Sequence, residues 1–287
     1  MIPLSFEFFP PNTPVGEQRL REVREQLAVW APQFYSVTYG AGGATRAKTE
    51  STVLEIAAAG CTVAPHLSCV GANRDGISEL LEGWRARGID RIVALRGDLP
   101  SGMVQGGEFR YAADLVAFVR ERFGSWFHIE VAAYPEMHPQ ARNAEADLSA
   151  FVAKMNAGAN SAITQFFYNA DAYFAFVDAA RARGVQAPIV PGVMPIQAYF
   201  KVARFAESCG AEIPRWIARR MEAYGDDVAS VRAFGLDVVS TMCERLLAGG
   251  APALHFYTLN QADLCAQVLS RLSSAPSSAP RASALAP

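Results

Sequence analysis

The chain alternates two kinds of segment. Short apolar, β-branched or aromatic runs stand at LSFEFF (residues 4–9), FYSVT (34–38), TVAPHL (62–67), RIVALRG (91–97), FHIEVAAY (127–134), SAITQFFY (161–168), PIVPGV (188–193) and ALHFY (253–257). Each has the length and composition of a fully buried strand. Between them the apolar residues take helical spacing. Leu20, Val23, Leu27 and Trp30 make one stripe, and Ile77, Leu80, Leu81 and Trp84 another. Leu148, Phe151, Val152 and Met155 form a third, and Val231, Phe234, Val238, Met242 and Leu246 the longest. Several of these stretches run into a glycine (Gly60, Gly88, Gly124, Gly158, Gly184), where a left-handed cap suits that residue.

Strand and helix repeated eight times implies parallel strands joined by right-handed crossovers, and the length is that of a (β/α)8 TIM barrel, an α/β fold. The stretch 195–252 is long enough to hold extra helices before the last strand. An open, doubly wound sheet is the competing architecture. From Ser273 the composition changes to SSAPSSAPRASALAP, too poor in bulky apolar residues to offset the entropy of ordering. The expected organisation is one barrel over residues 1–272 and a disordered tail over 273–287.

In such a barrel the active site lies at the C-terminal ends of the strands. Those ends carry Glu7, Thr38, Tyr39, His66, Arg96 with Asp98, Tyr134 with Glu136 and His138, Gln165, and Tyr257 with Asn260. Polar residues scattered over a solvated surface would fall at both ends, so their gathering at one end points to a polar pocket. Glu7 stands among Phe6, Phe8 and Phe9, and Pro10 and Pro11 end its strand. Alone it reads as a solvent-facing edge residue. The ring of polar strand ends moves it into the pocket.

Composition narrows the partners. A net charge of −2 with interspersed signs offers no basic field for nucleic acid and no polybasic membrane patch. The start MIPLSFEFF lacks a basic leader, and there is no run of about 18 apolar residues. A cytoplasmic protein with a small-molecule partner is expected. Its five cysteines form no CxxC pair and lie in apolar patterns, as reduced thiols would. Four histidines spread over separate segments show no HExxH spacing, so no metal is expected. A GxSxG elbow is absent. In YGAGGAT (39–45) Thr45 stands where GxGxxG needs its last glycine, so a Rossmann fingerprint is not supported.

Seven segments in order, SFEFFPP (5–11), SVTYGAGG (36–43), APHLSC (64–69), IVALRGDLP (92–100), VAAYPEMHPQA (131–141), AGANSAITQFFY (157–168) and HFYTLN (255–260), resemble the signatures of the methylenetetrahydrofolate reductase family. The likeness is to its bacterial, FAD-dependent, barrel-only form, and runs in register from residue 4 to about 270. It implies a barrel that holds FAD, takes hydride from NADH or NADPH, and converts 5,10-methylenetetrahydrofolate to 5-methyltetrahydrofolate by a ping-pong sequence. A homo-oligomer, often a tetramer, is implied as well. The S-adenosylmethionine-binding regulatory domain of eukaryotic relatives is not expected here.

Position by position, the resemblance makes Glu7 the acid that protonates folate N10 and Asp98 the second catalytic carboxylate. It assigns FAD contacts to Tyr39, Ala41, His66, Arg96, Gly97, Asp98, Tyr111, Ala112, Tyr134, His138, Ala141, Asp147 and Lys154, with Thr38 at flavin or nicotinamide. Gln165, Lys201, Phe205 and Gln261 fall on the substrate side, with Glu7. Aromatic neighbours and a nearby carboxylate are expected to raise the Glu7 pKa towards neutrality.

The chain also departs from the family. Gln261 stands where many members have Arg, and Lys201 where Gln is common, so Lys201 is a candidate to restore the lost charge. Ala150 and Ala153 occupy positions that are polar in some relatives. The alternatives are a catalytically silent folate or flavin carrier, and another FAD-dependent barrel oxidoreductase of the proline dehydrogenase kind. Retention of Glu7, Asp98 and Gln165 together argues against the first. The second leaves the folate positions unexplained.

Overall fold

All eight apolar runs become strands in the computed structural model, which describes residues 2–39, 43–97 and 107–274. Ala41, Asp98 and the tail beyond Ser274 lie outside the described residues. The strands are β1 (Leu4–Phe8), β2 (Phe34–Val37), β3 (Val63–Ser68), β4 (Arg91–Leu95), β5 (His128–Ala133), β6 (Ser161–Thr164), β7 (Ile189–Val190), β8 (Gly192–Val193) and β9 (Leu254–Tyr257). Every pairing is parallel, in the order β7-β6-β5-β4-β3-β2-β1-β9-β8.

The run PIVPGV yields two strands because Pro191 has no N–H to give to a ladder. Its first half pairs with β6 and its second with β9. Chain continuity through Pro191 therefore joins the two ends of the sheet, and the architecture is a (β/α)8 barrel, not an open sheet.

The connecting helices are α1 (Pro14–Ala28), α2 (Gly43–Ala58), α3 (Arg74–Ala86), α4 (Ala112–Phe123), α5 (Ala144–Asn156) and α6 (Ala170–Ala182). Then come α7 (Tyr199–Cys209), α8 (Arg215–Tyr224), α9 (Val228–Ala248) and α10 (Asp263–Ser274). Three helices between β8 and β9, where a barrel needs one, are the extra elements expected there.

Local chemistry sets their starts. Thr13 caps α1 by accepting from Gly16 N (3.1 Å), with Pro14 in its first turn, and Asn73 caps α3 by accepting from Gly76 N (2.8 Å). The α1 stripe buries Leu20, Val23 and Leu27, while Trp30 falls just beyond the helix. All five glycines expected as caps have positive φ.

Two cores result. Phe6 and Phe8 point away from the barrel axis into the layer between sheet and helices, where both are buried. Ser5 and Glu7, on the alternate face, point inward. A smaller cluster of Phe34, Ala64, Val93 and Ile163 fills the barrel itself.

Below that plug, the N-terminal strand ends carry a polar group that the sequence argument did not anticipate. Glu130, 3% exposed, lies 2.6 Å from Arg91 Nη1, accepts from Ser161 Oγ (2.5 Å) and stands 3.2 Å from His128 Nε2. Polar residues thus occupy both ends of the barrel. Satisfaction separates them: the lower group is paired within itself, while the upper one opens onto a pocket.

Candidate active site

The pocket at the C-terminal strand ends is lined by Glu7, His66, Tyr134, Gln165, Phe205 and Tyr257, with Met194, Thr258 and Leu259 among the others. Five of the anticipated site residues meet there. They come from β1, β3, the ends of β5 and β6, and helix α7.

Glu7 sits at its floor with an 18% exposed side chain. Its Oε2 lies 3.3 Å from His66 Nε2 and 3.7 Å from His255 Nε2, contacts that become ion pairs only where an imidazole is protonated. Ser5 Oγ lies 2.7 Å from the other ring nitrogen of His255. The β1–β9 register opposes Ser5 to His255 and Glu7 to Tyr257, so His255 lies one inward position deeper than Glu7.

This surrounding reverses an expectation. Burial alone would raise the Glu7 pKa, but the facing His66 and His255 imidazoles outweigh it and hold the carboxyl down at about 2. Aromatic neighbours in sequence do not keep the acid protonated, because Phe6 and Phe8 face the helices. The imidazoles come from β3 and β9.

The turn after β9 fixes the end of β1. Thr258 Oγ1 donates to Glu7 O (2.6 Å), while Asn260 accepts from Phe9 N (3.0 Å) and donates to Phe9 O (2.8 Å). Leu259 and Asn260 take left-handed backbone (φ 50° and 54°) to make the turn. Tyr257 reaches across to donate to Thr164 O (2.7 Å). Only glycine fits beneath it, since a Cβ on Gly192 would stand 2.5 Å from its ring and 2.1 Å from Thr164 O.

A second arc of anticipated residues surrounds the ends of β4 and β5. Arg96 bonds the Gln140 side chain, and its carbonyl accepts from Ser68 Oγ (3.0 Å). Gly97 has φ +85°, and a Cβ there would lie 1.9 Å from Ser68 Oγ. The rings of Tyr134 and His138 meet edge to face at 4.5 Å. His138 N donates to Asp147 (2.8 Å), and Ala141 N donates to His138 O (2.9 Å). Glu136 accepts from Glu212 N (2.8 Å), tying this loop to the segment after α7.

Lys154 turns from α5 towards the pocket, where its ammonium donates to the carbonyl of Ala132, a pocket-lining residue. Burial lowers its pKa to about 8 against the opposing charge of Asp147. Among the described residues no carboxylate lies within ion-pair distance of it.

The remaining anticipated residues, Phe205 apart, lie outside the pocket lining. Tyr111, 53% exposed, and buried Ala112 begin α4. Thr38 N donates to Phe8 O (2.9 Å) beside Tyr39. Phe205 stacks on Phe166 at 5.6 Å and 11°. Exposed Lys201 is four residues before it in α7, on the same face. Gln261 N bonds Thr258 O (3.0 Å) at the rim.

Fold and pocket define the class: a (β/α)8-barrel enzyme whose mouth gathers a carboxylate between two imidazoles, an amide and several aromatic rings. Residues 1–273 match the sequence model of the family described as methylenetetrahydrofolate reductase. The chain is 40% identical over 264 residues to the 5,10-methylenetetrahydrofolate reductase of Salmonella typhimurium, covering 92% of this chain and 88% of that one. It is 38% identical over 271 residues to methylenetetrahydrofolate reductase (NADH) 1 of Arabidopsis thaliana, covering 89% of this chain and 46% of the plant protein. The chain belongs to the methylenetetrahydrofolate reductase family, whose members are oxidoreductases of folate one-carbon units.

Among solved structures, an uncharacterized protein from Clostridium thermocellum that binds two copies of 5-methyl-5,6,7,8-tetrahydrofolic acid shares the fold. Its TM-score is 0.65 over 94% of this chain and 93% of that one, at 15% identity.

Proposed function

We propose that this protein reduces 5,10-methylenetetrahydrofolate to 5-methyltetrahydrofolate with NADH or NADPH, using bound FAD in a ping-pong sequence. The observation that carries the reading is the Glu7 carboxylate, which faces the open pocket from between two imidazoles, with Gln165 and Phe205 among the walls.

The residues present fit a flavin dinucleotide. Among the described residues, the half-buried Lys154 ammonium donates to one acceptor, a neutral carbonyl, and an anionic phosphate would complete its shell. Gly97 leaves no room for a side chain beside Ser68, and the Tyr134–His138 pair offers an aromatic wall. When bound, FAD supplies hydride transfer between nicotinamide and folate.

The protein's own residues do the rest. Glu7 delivers a proton to folate N10 as the N10–methylene bond breaks, leaving an N5 iminium ready to accept hydride. Gln165 presents a donor and an acceptor to the pterin edge, and Phe205 a flat surface to its ring. Asp98, outside the described residues, is the second carboxylate of the proposal, and its negative charge would favour a cationic iminium. The test is anaerobic: NADH should bleach the flavin absorbance of the purified protein, and methylenetetrahydrofolate should restore it with formation of 5-methyltetrahydrofolate. Bleaching without restoration would refute the assignment.

Two substitutions probe the binding roles. Lys154→Ala should weaken FAD binding by about 1.5–3 kcal/mol, the range for a hydrogen bond to a charged group. Fluorescence titration of the apoprotein measures this, and unchanged affinity would remove Lys154 from the cofactor site. Lys201→Ala should raise the folate KM more than Gln261→Ala, and the effect should shrink with salt because Lys201 is exposed. Equal KM values would end the idea that Lys201 compensates for the absent Arg.

A further inference from the structure

We propose that His255, oriented by Ser5, stores the proton that Glu7 hands to the substrate, so that the acid of this site is a Ser5–His255–Glu7 array. The inference rests on the reading of Glu7 as donor to folate N10.

His255 is fully buried, with its ring stacked against Phe34 at 6.1 Å and edge-on to Tyr257 at 5.3 Å. Those two contacts hold the imidazole plane. Ser5 Oγ engages one nitrogen at 2.7 Å. The other nitrogen, Nε2, has no hydrogen-bond partner among the described residues, and faces Glu7 Oε2 at 3.7 Å.

An orphaned nitrogen in a dry interior is costly unless a partner reaches it. Here a modest rotation of the Glu7 side chain closes the gap. If Nδ1–H donates to Ser5 Oγ, Nε2 is the nitrogen that gains and loses the proton.

His66 Nε2 also faces Oε2, at 3.3 Å. A carboxylate and one imidazolium make a neutral cluster, whereas charging both rings would leave excess positive charge in a buried site. The cluster therefore holds one mobile proton. His66 reaches the pocket wall, while His255 lies behind Glu7 with no exposure. A proton on His255 has Glu7 as its outlet.

The other groups facing His255 do not compete for this role. Tyr257 donates its phenol to Thr164 O, and burial with the Glu7 charge raises its pKa. Arg91 lies over the Phe34 ring at 4.5 Å and is paired with Glu130.

The transfer balances. The His255 Nε2–H bond breaks and a Glu7 O–H bond forms, leaving a neutral imidazole. That O–H bond then breaks as N10–H forms, and the electron pair of the N10–methylene bond stays on N10. Glu7 returns to carboxylate, and solvent re-protonates the pair through the open pocket after product leaves.

The test compares His255→Gln, Ser5→Ala and Glu7→Gln in the FAD-loaded full chain. In His255→Gln, restoration of flavin absorbance by methylenetetrahydrofolate should slow about tenfold or more, with a changed pH profile, while bleaching by NADH stays within a few-fold. Ser5→Ala should show the same selectivity with a smaller loss. Independently of turnover, the His255 ring signal of 13C-histidine-labelled protein should titrate in wild type. Its midpoint should move to lower pH in Glu7→Gln, where the stabilising carboxylate is gone.

A His255 signal with no titration, or a wild-type pH profile in His255→Gln, would overturn the array. Should His255→Gln fail to fold, Ser5→Ala and the NMR titration decide alone. Continued slowness of Glu7→Gln would then leave Glu7 as the donor without its store; a fast Glu7→Gln would refute the reading beneath it.

Discussion

Glu7→Gln should slow the restoration of flavin absorbance by methylenetetrahydrofolate by about 10² to 10⁴, the usual worth of general acid catalysis, while bleaching by NADH stays within a few-fold of wild type. The amide keeps the size of the side chain and can still accept from an imidazole, but it has no acidic proton for N10. Hydride transfer from the nicotinamide needs no such proton, so the two halves separate. Stopped-flow absorbance reads each half alone. Equal slowing of both would make Glu7 a structural or flavin-holding residue, and no slowing would place the acid elsewhere in the pocket.

The wild-type pH dependence should carry a related signature. With its carboxyl held at about 2, free Glu7 is ionised throughout the neutral range. The folate step should therefore weaken as pH rises, because the proton that Glu7 passes on comes from outside its own resting carboxyl. A profile governed by a carboxylic acid titrating near neutrality would contradict this arrangement.

The strands were readable because buried parallel strands are apolar on both faces and each run is short. The split of PIVPGV was readable in principle, since Pro191 interrupts the ladder, yet only the pairing to β6 on one side and β9 on the other gives the break its meaning. Trp30 fits a helical stripe in sequence but lies outside α1, which ends at Ala28.

At the site, Glu7, Gln165 and Phe205, far apart in the chain, could each be singled out from the family resemblance of their own segments, and they line one pocket. His255 could not. Its contact with Ser5 spans 250 positions and exists only through the β1–β9 register. The same blindness misjudged the Glu7 pKa: flanking residues in a strand point to the other face, so the groups that set a strand carboxylate's ionisation come from its neighbours. Polar residues at the lower end were visible as letters, but Arg91, His128, Glu130 and Ser161 become one group only when β4, β5 and β6 are side by side.

That lower group supplies the largest expected change in stability. Glu130→Ala should destabilise the protein by about 3–5 kcal/mol, because it leaves the Arg91 guanidinium without its carboxylate and the Ser161 hydroxyl without its acceptor. The value should fall towards the lower end, since the Arg91 side chain is 21% exposed and water can reach part of the stranded charge. The surface pair Arg122–Glu82, 58% and 55% exposed, gives the contrast: Glu82→Ala should cost less than about 1 kcal/mol.

The pH dependence has a definite sign. Burial would raise the Glu130 pKa, but hydrogen bonds from His128 and Ser161, with the charges of His128 and Arg91, lower it overall. A lowered folded-state pKa stabilises above the unfolded carboxylate's pKa and loses that contribution as pH falls through the folded value. The stability gap between wild type and Glu130→Ala should therefore be full near neutral pH and begin to narrow below about pH 4. Urea unfolding midpoints at neutral and acid pH measure both effects. A neutral-pH loss below about 1 kcal/mol would mean that the group beneath the barrel contributes no more than a surface ion pair.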